Sequence, residues 1–380
     1  MAAQVDNKNK DKEENVMSLG RIASLGFVAI LVLAQAANAD EPSLKGSGEI
    51  VVTAGGGTWE AALRKAFFDP FQQETGIKVV VVPDDRAKLL ASVERGKPEA
   101  DITNLSASSL STWLRHKALE KIDYKYFDQE TLSGMPDAVK DEYGVGSSFY
   151  SIMMAFSESE YPSTKPRPNS WAEFWDTKKF PGPRGLAGCG DRLVSGGTLE
   201  YATLASGVPM DKLYPMDIDK AFKKLAELKS SVGRWWQAGG ESPQGLIDGE
   251  LSMATACNGR LYNAFKQKAP IGSTWNQSLI EYDYWVVPKG SPNYDNALKF
   301  LAFISKAKPQ ADYAIEFAGG PINSNAYKYI PDDLAKWLPG SPQNVKTQVY
   351  QNYHWWNEVR DDGKTNLEVA LDRCVAELSH

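Results

Sequence analysis

Residues 48–82 read GEIVVTAGGGTWEAALRKAFFDPFQQETGIKVVVV. Ile50 to Ala54 is a short apolar run, expected to form a buried strand. Gly55-Gly56-Gly57-Thr58 makes a turn into a helix, whose residues Leu63, Phe67 and Phe71 recur every four positions and give one apolar face. Gly76 is placed to end that helix, because only glycine adopts the left-handed conformation at low cost. Ile77 to Val82 is a continuous valine-rich run halted by Pro83, the pattern of a strand buried on both faces of a parallel sheet. Strand, helix and strand within some thirty residues make a βαβ unit, so the chain is α/β.

The alternation continues outward. Leu89, Leu90 and Val93 predict a helix, 101–104 a short strand, and Leu110, Trp113 and Leu114 another helix. After Gly144, Gly146, Ser147 and Ser148 comes the apolar run 149–156. Beyond the proline-rich 162–168, helices are expected at 171–175 and around Phe222, Leu225 and Leu228. Ser242-Pro243 reads as an N-cap followed by proline at the first helical position. Strands are expected at 186–190, 251–256 and 281–287, and a helix at 296–304. Two α/β segments joined by a Gly/Ser stretch, with a second apolar crossing at 283–288, predict two lobes: 40–148 plus 284–322, and 149–283 plus 323–380. Clefts between such lobes are where small ligands bind.

The N-terminal region predicts export. Arg21, the apolar run Ile22 to Leu33 and Ala37-Asn38-Ala39 form a secretory leader cleaved before Asp40, with Met17 a candidate start because 1–16 are polar. Roughly 340 residues remain, enough for two ordinary domains. A net charge of −6 argues against a nucleic-acid partner, since no excess of Lys and Arg is available to neutralise phosphates. The three cysteines (Cys189, Cys257, Cys374) allow at most one disulfide. Free thiols are favoured slightly over a Cys189–Cys257 pair, and no spacing fits a zinc site. The motifs of serine hydrolases, P-loop NTPases, dinucleotide-binding enzymes and zinc proteases are absent, so no catalytic activity, cofactor or metal is expected. Trp235-Trp236 are expected to pack between strand and helices, and Trp355-Trp356 in the core or between lobes.

Residues 48–82 resemble the opening of periplasmic solute-binding proteins of the spermidine/putrescine type, the extracytoplasmic receptors of ABC importers. Residues 242–264, SPQGLIDGELSMATACNGRLYNA, resemble that family's helix, strand and ligand loop. Residues 281–290, EYDYWVVPKG, resemble its hinge-crossing strand, and 300–325 its next helix and turn. The resemblance implies a two-lobe periplasmic receptor, monomeric, that closes on a small ligand and delivers it to an inner-membrane permease. The family's amine-holding carboxylate falls on Asp283. Two residues earlier, where it often has tryptophan, stands Glu281. Where polyamine binders carry Trp-Asn-Gly-Ser or Trp-Ala-Gly-Asp, this chain has Cys257-Asn258-Gly259-Arg260.

An arginine aimed at a polyamine costs several kcal/mol through desolvated like charge. A guanidinium instead offers a planar fork for a carboxylate. Arg260 with Asp283 therefore describes a zwitterion such as GABA or another ω-amino acid, and the family has members known for it. A polyamine receptor remains the alternative, with Arg260 then an ion-pair brace to Glu281 or Asp283. A secreted enzyme acting on small amines or glycans is a third reading. Further candidate contacts are Thr58 and Trp59 at the first helix start, Ser106 at the cleft rim, Tyr150 in the first crossover, Asp191 and Arg192 after a second-lobe strand, and Tyr282.

Overall fold

The computed structural model describes residues 42–378. The leader, its cleavage site and the candidate start at Met17 lie outside them. Nine strands are present among the described residues: β1 Glu49–Ala54, β2 Lys78–Pro83, β3 Thr103–Ser106, β4 Val145–Ser157, β5 Arg184–Ala187, β6 Val232–Trp236, β7 Met253–Cys257, β8 Ile271–Val286 and β9 Gln348–Tyr350.

The opening βαβ unit forms as its sequence dictates. β1 and β2 pair in parallel, and the helical stretch between them buries Leu63, Phe67 and Phe71. Gly76 ends that stretch at φ 83°, its N–H donating to the Gln72 carbonyl. One expectation fails. β2 is an edge strand, paired only with β1 among the described residues, so Val79 is buried while Val80 to Val82 are only partly covered. An unbroken apolar run signals low polarity, not how many neighbours the strand has. β1 bridges onward to Ile102, which leads into β3.

The main sheet runs β3-β8-β4-β7-β5-β6, with β9 added to β8. Two long antiparallel strands, β4 and β8, form its spine from Val145↔Trp285 to Ser157↔Ile271. Helices Tyr294–Ile304 and Ala307–Phe317 pack with the opening unit at one end of this ribbon. Helices Thr198–Ala205, Ile218–Leu228, Glu241–Ile247 and Asn258–Lys266 serve the other end. This is the two-lobe α/β fold of periplasmic binding proteins.

Two local readings are corrected. The helix expected to start at Pro243, capped by Ser242, starts two residues earlier, at Glu241. Gly240 is its N-cap, and the Glu241 carboxylate accepts the N–H groups of Gln237 (3.1 Å) and Ala238 (2.6 Å), which turns the chain into the helix. Cys189 pairs neither with Cys257 nor stays free: it is bonded to Cys374 on the C-terminal helix Asn366–Leu378, with Cα atoms 5.7 Å apart. Cys257 is the free thiol. Sequence spacing carries no information about a contact 185 residues apart. Trp236, Trp355 and Trp356 are buried, Trp235 is half-buried, and the Trp356 indole N–H donates to Glu200 Oε1 at 2.8 Å.

The Cys189–Cys374 bond closes a very long loop, so removing it frees much unfolded-state entropy. The Cys189→Ala/Cys374→Ala double variant is expected to lose about 2–5 kcal/mol in denaturant unfolding. Cys257→Ala, which leaves the bond intact, is the control, and equal losses in both would show that the bond contributes nothing.

Candidate functional site

The site lies where the β4–β8 ladder breaks. Gly146 pairs with Tyr284 and Phe149 with Tyr282, so two residues of β4, Ser147 and Ser148, stand opposite the single residue Asp283. Such a bulge re-aims the side chain across from it. Asp283, Ser147 and Ser148 all line a cavity of about 260 Å³, with Trp59, Asn104, Tyr150, Trp285 and Tyr313 among its other walls.

Trp59 is placed by the turn before it. Gly56 and Gly57 have φ of 74° and 66°, a conformation that side chains resist, and Trp59 follows in the first helical turn. Its indole N–H donates to the Tyr313 hydroxyl at 3.1 Å, and its ring stacks with Trp285 at 6.2 Å and 8° between planes. Asp283 is half-buried and makes no side-chain hydrogen bond or ion pair among the described residues. Burial pushes its pKa up to about 6, offset in part by the Arg86 cation. An unpaired carboxylate among aromatic faces suits an ammonium group, which gains charge attraction and cation–π contact together.

A second cavity of about 200 Å³ adjoins the first, and Tyr150 and Cys257 line both. Its walls include Arg192, Trp236, Thr255 and Arg260. Arg260 projects from the first turn of helix Asn258–Lys266 and is exposed. Among the described residues it pairs with no carboxylate, and Arg86 rather than Arg260 is the cation felt by Asp283. Burial pushes the Cys257 thiol up, while the N–H groups of Gly259 and Arg260 and the Arg260 charge pull the other way. A helix N-terminus and a guanidinium together favour an anion here. Arg192 Nε donates to the Gln237 carbonyl at 3.0 Å. Asp191 precedes it as the first residue of helix Asp191–Ser195.

Four candidates lie elsewhere. Thr58 is exposed and lines neither cavity. Ser106 pairs with Asp283 in the β3–β8 ladder, but its hydroxyl caps helix Ala107–Arg115 by accepting the Ser109 N–H at 3.3 Å. Tyr282 points away from the cleft, since alternate β8 residues face opposite sides; it is buried against Phe149 and Tyr353. Glu281 is fully buried and lines neither cavity, accepting from the Tyr353 hydroxyl at 3.2 Å. Among the wall residues not expected, Trp285 was within reach: two positions beyond Asp283 on one strand, it shares that face. Tyr313 arrives from 254 residues beyond Trp59, and no local signal marks it.

Behind Tyr150, Glu281 and Glu200 form a pair of buried acids. Glu200 Oε1 accepts from Tyr214 (2.7 Å), Gln351 (3.0 Å) and Trp356 (2.8 Å). Burial raises both pKa values, most for Glu281, and the charge of Glu200 adds to that rise. Among the described residues no helix is long and apolar enough to cross a membrane, and no cluster of three or more His, Cys, Asp or Glu is placed to hold a metal ion.

Fold and site together define a two-lobe protein with a ligand cleft. The chain belongs to the bacterial extracellular solute-binding protein family, whose model matches residues 66–339. It is therefore a solute-binding protein of an ABC transporter. It is 32% identical over 333 residues to a gamma-aminobutyric acid-binding protein of Pseudomonas aeruginosa, covering 86% of this chain and 90% of that protein. A spermidine/putrescine-binding periplasmic protein of Haemophilus influenzae is 22% identical over 316 residues, 80% of this chain and 84% of its own. Among solved structures, an ABC transporter substrate-binding protein from Bradyrhizobium japonicum is 34% identical with a TM-score of 0.75, covering 87% of this chain and 99% of that one. The Atu4243 GABA receptor is 32% identical with a TM-score of 0.72, covering 87% and 98%.

The buried acid gives a pH test. A carboxyl whose folded pKa lies above its unfolded value keeps its proton in the native state, so stability falls as pH rises from about 4.5 toward the folded pKa. Glu281→Gln mimics the protonated form. Its melting temperature is expected to match or exceed wild type at pH 8, with a smaller loss between pH 5 and 8. A variant that loses stability equally at both pH values would mean that Glu281 is ionised in the fold.

Proposed function

We propose that the protein binds a small zwitterion carrying an amine and an acid, GABA or another ω-amino acid, in the periplasm and delivers it to an inner-membrane permease. The observation that carries this reading is the separation of charge in the cleft: a carboxylate, Asp283, in one cavity and a guanidinium, Arg260, in the next, neither paired among the described residues. The ammonium sits on Asp283 among Trp59, Tyr150 and Tyr313. The carboxylate passes between Tyr150 and Cys257 to Arg260 and the amides at the helix start. The names of the relatives support the same ligand class.

A diamine has no partner for Arg260, and the brace that would have made Arg260 compatible with one is missing among the described residues. We take the lobes to divide as 40–148 plus 284–322 and 149–283 plus 323–380, which puts Trp59 on the first, Arg260 on the second and Asp283 at the last position before the chain crosses back. A ligand that touches both favours the closed form by its differential affinity for that form.

Truncating one partner of a desolvated charge pair costs about 2–5 kcal/mol, on the order of 30- to 5,000-fold in affinity. Arg260→Ala and Asp283→Ala are each expected to weaken GABA by that range in isothermal titration, with unchanged melting curves. Because a proton competes with the ammonium for Asp283, wild-type affinity should also fall below pH 6, approaching tenfold per pH unit. Tighter binding of putrescine than of any amino acid, with Arg260→Ala neutral, would overturn the assignment. Small-angle scattering supplies a separate check: saturating ligand should reduce the radius of gyration, and no change at proven saturation would exclude lobe closure.

A further inference from the structure

The two cavities are unequally charged, and that inequality narrows the ligand class. The first offers one unpaired carboxylate, Asp283. The second offers two guanidinium groups, Arg192 and Arg260, and neither pairs with a carboxylate among the described residues. Arg192 is held in place by its Nε bond to the Gln237 carbonyl, which leaves its two terminal nitrogens available. Part of the same wall is fixed, since the Trp236 indole N–H donates to Thr255 Oγ1 at 2.9 Å. A single carboxylate seated on Arg260 leaves the second fork unanswered.

Volume points the same way. At roughly 30 Å³ per water-sized group, the second cavity of about 200 Å³ has room for several non-hydrogen atoms beyond the Tyr150–Cys257 neck. A single carboxylate group fills only part of that space.

We infer that the preferred ligand is an ω-amino acid conjugate whose far end bears two acidic groups, one on Arg260 and one on Arg192. This rests on the ω-amino acid reading above and specifies it. Arg192 is then a specificity-determining residue, because its planar fork answers an acid that GABA lacks.

Isothermal titration at pH 7.5 with three probes tests it: GABA, N-(4-aminobutanoyl)alanine and N-(4-aminobutanoyl)aspartate. The two conjugates share a backbone and differ in the second carboxylate. The aspartate conjugate is expected to bind at least tenfold tighter than the alanine conjugate and tighter than GABA. Arg192→Ala should weaken the aspartate conjugate at least tenfold and GABA less than threefold. Arg192→Lys should recover only part of the loss, because charge returns without the fork. Melting curves of both variants control for folding. If GABA binds but the two conjugates bind alike, or if Arg192→Ala weakens all three probes equally, the two-acid inference fails and the ω-amino acid reading stands. If no probe binds, both fail.

Discussion

The ladder between β4 and β8 is the constraint on which the rest of the structure depends. It joins the elements of both ends of the molecule, and it holds the site because it is imperfect. Were its pairing regular from Val145 to Ser157, every β8 residue would face a single partner, and Asp283 would stand opposite one residue instead of the Ser147–Ser148 pair. The bulge leaves Asp283 facing a cavity while its neighbours Tyr282 and Tyr284 stay buried. A rigid strand that presents one acid to a cavity suits a receptor, since the acid need not be reorganised on binding.

Electrostatics divides the interior into groups that act and groups that support. Asp283 is half-buried, faces a cavity and has no charged partner among the described residues, so its charge is only partly compensated. Glu200 and Glu281 lie deeper, in a shell of Tyr214, Tyr353, Gln351 and Trp356, where a proton is the cheaper solution to burial. The three acids are close in space and differ in role because they differ in access to solvent and to cations.

Much of this was legible in the residues. The opening strand, helix and strand and the crossing at 281–287 follow from apolar periodicity, and Trp59 from its place after the glycine turn; Asp283 was singled out by the resemblance to the solute-binding family, and Arg260 by its departure in charge from that family's loop. Less visible was anything decided by the third dimension. Glu281 and Asp283 look alike as letters two apart, yet one is fully buried and the other opens on a cavity, because the register break falls at Asp283. Tyr313 and the partner of Cys189 come from far along the chain, and β2 has the letters of a central strand but the place of an edge.

That last feature bears on how copies of the molecule avoid one another. An open strand edge invites a second chain to add to it, and a run of four valines is a strong invitation. Since Lys78 donates its N–H toward β1's side, to the Gly48 carbonyl, the alternating outward positions are Val79, Val81 and Pro83. The Val79 N–H is already taken by Gln72 Oε1 at 2.8 Å, and Pro83 has no N–H to give. Only Val81 presents a donor to a newcomer. The proline that ends the run and a glutamine from the preceding helix thus guard a partly covered valine edge against self-association.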